Sequence, residues 1–267
     1  MAAPLRNTPA DLETDFSSPD ADPFRFGWRM VSVRLPSGEE TEQQIPLTPE
    51  DLLDPQPGDV VGQSGPHLDL LLLLLNLLRS FFLHRDDVLV AGGMKMLWGI
   101  PKLKEPAPDV AVIPGIRNKH AERDSFDVPA EGTRPCLIIE VVSSKFPEIR
   151  RNDTEEKVGI YSKAGIPEYF LFDPPTVYTQ GRLLLTGYRL DAQRGYQRIE
   201  PDREGRLLSE TTGLLFGVAE DGRTLQVFHA ATGERLLTRE EAEEAYKAEV
   251  LRLREEIERL RRGDARL

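Results

Sequence analysis

One acid inside an otherwise apolar run constrains this chain more than any other feature. Cys136-Leu137-Ile138-Ile139-Glu140-Val141-Val142 reads as a strand buried on both faces. Leaving a carboxylate unpaired there costs several kcal/mol, so Glu140 must meet a cation, a metal or hydrogen-bond donors. The same is not true of Asp109, which follows Pro108 at the start of a second apolar run and on its own is an ordinary turn residue. Placed on adjacent strands, however, the two carboxylates could share one Mg²⁺, with the Val141 carbonyl as a third oxygen. Such an ion could activate water and offset charge on a phosphodiester.

The surroundings of these runs suggest an α/β protein. His67 to Leu83, with six leucines from Leu70 to Leu75, reads as a helix buried on most sides, and Pro66 marks its start. Asp69, Asn76 and Arg79 interrupt it, and it falls short of the roughly 20 apolar residues a membrane span needs. Short β-like runs follow at Val88–Ala91, Met94–Trp98 and Asp109–Ile113. After the Glu140 strand, a helix is predicted from about Asp153 to Ala164, with Asp153 or Thr154 as its cap, stopped by Gly165 and Pro167. Tyr169–Phe172 is another buried strand, and broken alternation from Tyr178 to Leu237 suggests antiparallel strands.

On the predicted helix, Asp153, Lys157 and Tyr161 share one face. Two readings stand: a surface Asp–Lys pair with Tyr161 partly packed on the core, or a Lys157 turned toward Glu140. From Arg239 to Arg262 the pattern is helical again. Tyr246, Val250, Leu253, Ile257 and Leu260 form a 4-3-4-3 seam flanked by Glu and Arg, which suggests a coiled coil and a homodimer.

Composition enters through charge. A net −11 argues against a nucleic-acid partner until it is divided. Residues 1–60 carry 4 basic and 12 acidic side chains, residues 61–237 carry 22 and 24, and residues 238–267 carry 8 and 9. The organisation expected is therefore an acidic N-terminal arm (1–60) with one hairpin, a nearly neutral central domain (61–237) and a C-terminal helix (238–267). Lys95, Lys102, Lys104, Arg117, Lys119 and Arg123 flank Asp109, and Lys145, Arg150 and Arg151 follow the Glu140 strand. They are read either as phosphate contacts or as a solvated loop surface. A lone Cys136 excludes a disulfide framework within the chain and any Cys-based zinc site, which suits a reducing cytoplasm. Residues 1–20 show no basic start followed by an apolar run, so no signal peptide is expected.

These segments, taken in order, resemble a known family. Ala107-Pro108-Asp109-Val110, Ile138-Ile139-Glu140-Val141-Val142-Ser143-Ser144, Glu156-Lys157 with Tyr161, Ala164-Gly165-Ile166-Pro167-Glu168-Tyr169 and Phe172-Asp173-Pro174 together resemble the Uma-two family of restriction endonucleases over residues 60–235. The resemblance implies a PD-(D/E)XK nuclease core: a mixed four-stranded sheet with helices in the order αβββαβ, here with additional antiparallel strands and a C-terminal helix. It implies a DNA substrate, with Mg²⁺ or Mn²⁺ as cofactor. Asp109 and Glu140 match the two metal-binding carboxylates. The lysine usual two residues after the second carboxylate is replaced by Val142, and Lys157 looks like its relocated substitute, positioned by Tyr161, ahead of Lys145 and Lys95. Asp69, next to His67, is the candidate for an additional metal-binding acid from the first helix. The alternative function is a catalytically inactive binding or assembly protein that keeps the fold and dimerises through its C-terminal helix.

Overall fold

A computed structural model of the chain describes residues 22–62, 64–143 and 146–264. They fall into two compact units, one formed by residues up to Asp51 together with Gln56–Gly62, the other by Leu52–Pro55 and the chain from Gln63 onward. In the first unit, β1 (Trp28–Arg34) and β2 (Glu40–Pro46) form an antiparallel hairpin with seven paired positions, which is the hairpin read in the N-terminal segment. Arg29 grips Asp59 through two hydrogen bonds of 2.5 and 2.8 Å.

The second unit is built on a six-stranded mixed sheet. Helix α1 (Gly65–Phe81) is followed by β3 (Val88–Ala91), then β4 (Lys95–Leu97), β5 (Val110–Pro114), β6 (Ser125–Asp127) and a single-turn α2 (Val128–Glu131). Next come β7 (Leu137–Val141), α3 (Pro147–Arg151), a π-helical turn (Asn152–Glu156), α4 (Lys157–Lys163) and β8 (Glu168–Asp173). β9 (Leu184–Asp191) and β10 (Gly195–Arg198) extend the sheet, whose order is β10-β9-β8-β7-β5-β3. A separate antiparallel sheet holds β11 (Leu207–Ser209), β12 (Leu214–Val218) and β13 (Leu225–His229), and α5 (Arg239–Asp264) ends the described chain. The mixed sheet, the further antiparallel strands and the C-terminal helix match the fold class read from the sequence.

The central strands explain why the apolar runs are continuous. β7 lies between β5, antiparallel, and β8, parallel, and every residue of β7 and β8 is buried. Leu137, Ile139 and Val141 join one core with Leu70, Leu71, Leu74, Leu77 and Leu78 of α1 and with Leu214, Phe216 and Val227 of the smaller sheet. Ile138 faces the other way, among Ile160, Tyr161 and Ala164 of the α4 segment and Ala111 of β5. Period-2 alternation thus sends neighbouring residues of one strand into two different cores.

Three sequence expectations change. β4 stays out of the main sheet and pairs in parallel with β6, a strand too short to leave a periodic signal. The helix expected from Asp153 begins six residues earlier, because Pro147 supplies a pre-set first turn. Asp153 is therefore no cap; it lies buried inside the helical segment. Gly165, at φ 72°, does end α4 as expected. Among the described residues no helix is long and apolar enough to cross a membrane.

Glu168 ties the six-stranded sheet to the β11–β13 sheet. Its buried carboxylate accepts six hydrogen bonds: two from Arg189, one from the Ser209 hydroxyl, one from the Glu210 N–H, and two from the Thr211 N–H and hydroxyl. Glu168→Ala would strand these donors around an empty space. A loss of about 3 kcal/mol is expected, read as a lower urea midpoint at unchanged slope.

Candidate active site

Strand register places the two candidate carboxylates side by side. β5 and β7 pair through Val110 and Ile139, so the next residues outward are Asp109 and Glu140. Asp109 Oδ2 accepts from the Val141 N–H at 2.8 Å, and the Asp109 N–H approaches Glu140 Oε2 at 3.4 Å. Each acid is thus fixed by the backbone of the other's strand.

Lys157 arrives from the helix behind. Its ammonium lies 3.0 Å from Glu140 Oε2 and 2.9 Å from Asp153 Oδ1. The surface-pair reading is excluded, since Asp153 and Lys157 are both buried. Tyr161, fully buried one turn on, donates its hydroxyl to Glu140 Oε1 at 2.6 Å. Its hydroxyl therefore holds the glutamate directly. The Asp153 carboxylate also accepts the Ser143 N–H at 3.2 Å, and its carbonyl accepts the Tyr169 hydroxyl at 2.8 Å. Tyr161 and Tyr169 meet edge to face at 5.0 Å, which fixes both hydroxyls in the core.

The first helix contributes His67 in place of Asp69. His67 Nε2 sits 3.3 Å from Asp109 Oδ2, while Asp69 is exposed and borders a shallow depression with Pro66, Leu73 and Arg223. Positions two apart on a helix, such as His67 and Asp69, are about 200° apart, so both cannot face inward. His67 lies on the stripe continued by Leu70, Leu71 and Leu74, and that 3-4 spacing was the available signal. His67 Nδ1 is buried with no hydrogen-bond partner among the described residues.

Val142, in the position where a nuclease lysine is usual, is buried in the α4-side core. The basic residues divide. Lys95 is held by Asp54 and the Pro55 carbonyl, Lys119 by Asp86 and the Leu83 and Arg85 carbonyls, Arg123 by Glu131, and Arg151 by Glu155. They are engaged because each has an acid or an uncapped carbonyl close by in the fold. Lys102 and Arg117 are exposed and Lys104 is half-buried. Lys145 lies outside the described residues. Arg150 pairs with the buried Asp173 at 2.5 Å, and Asp173 in turn feels the charge of Asp153.

Electrostatics follow from crowding. Asp109, Glu140 and Asp153 share one buried ammonium and one imidazole. Burial pushes the Glu140 carboxyl up to about 8; Lys157 pulls it down, but Asp109 and Asp153 push it up again. Burial raises Asp109 as well, yet the His67 hydrogen bond, the His67 charge and Lys157 bring it below the ordinary value. Burial alone would lower Lys157, and Asp153, Glu140 and Asp109 reverse that, so it stays charged. His67 is raised: burial lowers it, and the hydrogen bond and charge of Asp109 outweigh the burial.

Residues 39–244 match the Uma2 family, described as "Putative restriction endonuclease". The chain belongs to the Uma2 family. Among solved structures it is similar to one titled "a putative nuclease belonging to DUF820" from Anabaena variabilis, at 14% identity and a TM-score of 0.41, covering 68% of this chain and 83% of that one. No curated protein matches the chain.

The raised Glu140 has a consequence for stability in this Uma2 protein. A folded-state value near 8 against 4.5 means that the folded form binds the extra proton. The Glu140 contribution is fully present below about 4.5 and is lost as pH rises through about 8. Glu140→Gln cannot ionise, so in chelator its urea midpoint should gain on wild type between these values. Parallel pH profiles for the two proteins would count against a strained, buried acid.

Proposed function

We propose that this chain is a divalent-metal-dependent endonuclease hydrolysing DNA phosphodiester bonds, with Mg²⁺ or Mn²⁺ as the ion. The observation that carries this reading is the buried convergence of Asp109, Glu140 and Lys157, with acids outnumbering cations. The family's description supports a nuclease and, with it, a nucleic-acid substrate.

The donor set fits such an ion. Asp109, Glu140 and Asp153 crowd around one ammonium and one imidazole, and a divalent cation would favour ionised Glu140 and offset that crowding. Among the described residues no group of three or more His, Cys, Asp or Glu is placed to hold a metal together. Two carboxylates with water completing the shell is the mode Mg²⁺ favours. Asp109, Glu140 and the Val141 carbonyl would hold it, and when bound it would supply Lewis-acid stabilisation of charge on phosphate oxygens. Asp69, exposed on the opposite side of α1, is left out of this set.

The chain's own groups have separate tasks in this reading. Lys157 holds a proton at Nζ beside Glu140, where it can orient an attacking water or neutralise a phosphate oxygen. Tyr161 fixes Glu140 Oε1 so that Oε2 faces the lysine. Asp153 keeps Lys157 charged and aimed, and His67 orients Asp109. Arg150, although paired with Asp173, is one candidate for contact with the DNA backbone. Exposed Lys102 and Arg117 are further candidates. Contacts of this kind bind phosphates and carry little sequence preference.

A second reading, a binding or assembly protein without catalysis, is favoured by Val142 and by the engagement of both Glu140 oxygens with protein groups. Plasmid cleavage with Mg²⁺ or Mn²⁺ separates the two. Wild type should nick or linearise supercoiled DNA, and Asp109→Asn and Glu140→Gln should abolish cleavage. Lys157→Met should slow it by about two to three orders of magnitude while leaving DNA binding nearly intact. Equal cleavage by all four proteins, or none by wild type across varied DNA substrates, would favour the binding protein.

A further inference from the structure

Helix α5 carries a row of apolar side chains that nothing among the described residues covers. Tyr246, Leu253, Ile257 and Leu260 are 72%, 45%, 50% and 58% exposed, and Val250 completes the row. Their 4-3-4-3 spacing is that of heptad a and d positions, with Val250 and Ile257 at a and Tyr246, Leu253 and Leu260 at d. β-Branched residues at a with leucine at d favour two strands in parallel over higher oligomers.

The flanking charges agree. In this register the g positions are Glu249 and Glu256, and the e positions five residues later are Arg254 and Arg261. A parallel, in-register pair sets each g opposite the partner helix's following e, which joins Glu249 to Arg254 and Glu256 to Arg261. An antiparallel pair sets g against g and e against e, which opposes glutamate to glutamate and arginine to arginine. Within one helix, Glu249 is backed by Arg252 at 2.6 Å and Glu256 by Arg259 at 3.8 Å. Both arginines occupy c positions, so these pairs lie beside the seam without closing it.

We infer that α5 forms a parallel, in-register two-stranded coiled coil with a second copy of this chain. The inference is independent of catalysis: apolar spacing and charge order carry it alone. The seam spans about 22 Å of helix at 1.5 Å per residue, which is short, so the dimer forms reversibly with concentration. Parallel pairing also brings the two copies of the Asp109–Glu140 cluster to the same end of the rod.

Sedimentation of the full chain across a wide concentration range tests the stoichiometry. A monomer–dimer equilibrium is expected for wild type and a monomer for Ile257→Asp. Glu249→Arg combined with Glu256→Arg should weaken association by about tenfold or more at low salt, with partial recovery at high salt. Orientation is read by disulfide capture. Glu243→Cys, one heptad before Val250, should cross-link to itself under mild oxidation, with wild type as the control for Cys136. A wild-type monomer at every concentration would overturn the inference, as would a dimer that survives Ile257→Asp. So would cross-linking of Glu243→Cys with Leu260→Cys in preference to itself.

Discussion

A negative charge sealed inside the central sheet is the constraint from which this structure follows. Glu140 sits on the strand with neighbours on both sides and cores on both faces. Water cannot reach it well enough to solvate it, so protein groups must. That requirement fixes Lys157 and Tyr161 on the covering helix, and through Lys157 it fixes Asp153. Glu168, equally buried at the start of the adjacent strand, meets the same demand differently. Six hydrogen bonds saturate it, and its work is complete once the two sheets are joined. Glu140 has fewer donors and more acidic neighbours, so it remains electrostatically unsettled. The saturated acid joins the sheets, and the unsettled one is the acid whose charge the fold leaves least compensated.

Much of this was legible in the chain. The β7 and β8 runs are too apolar to be anything but central strands, and the leucine stripe could only be a covering helix. Their order pointed to a nuclease-like core because each short motif sits on a definite element. The helix face shared by Asp153, Lys157 and Tyr161 was also visible. Its depth was not, since periodicity gives direction without distance from solvent. Pro147 moved the helix start and turned a supposed cap into a buried acid.

Other misreadings share one origin. Asp69 was preferred to His67 by chemical type, although the apolar stripe favoured His67 by position. The basic loops leave two readings open, phosphate contacts or a solvated surface, because sequence lists cations without their partners. Asp54, Asp86, Glu131 and Glu155 are distant from or unremarkable beside their lysines and arginines until the chain folds. A charge count resolves segments, and ion pairing resolves side chains.

The π-helical turn at Asn152–Glu156 acts as a gear inside the covering helix. Widening one turn advances everything after it by a fraction of a rotation relative to everything before it. Upstream of that offset, Arg150 reaches Asp173 near the surface; downstream, Lys157 and Tyr161 engage the strand beneath. The freed Asp153 carbonyl is taken by Tyr169, so the offset is locked from below. Removing a single residue here would keep the helix and every side chain of the cluster, yet rotate the lysine out of mesh with the acids it serves.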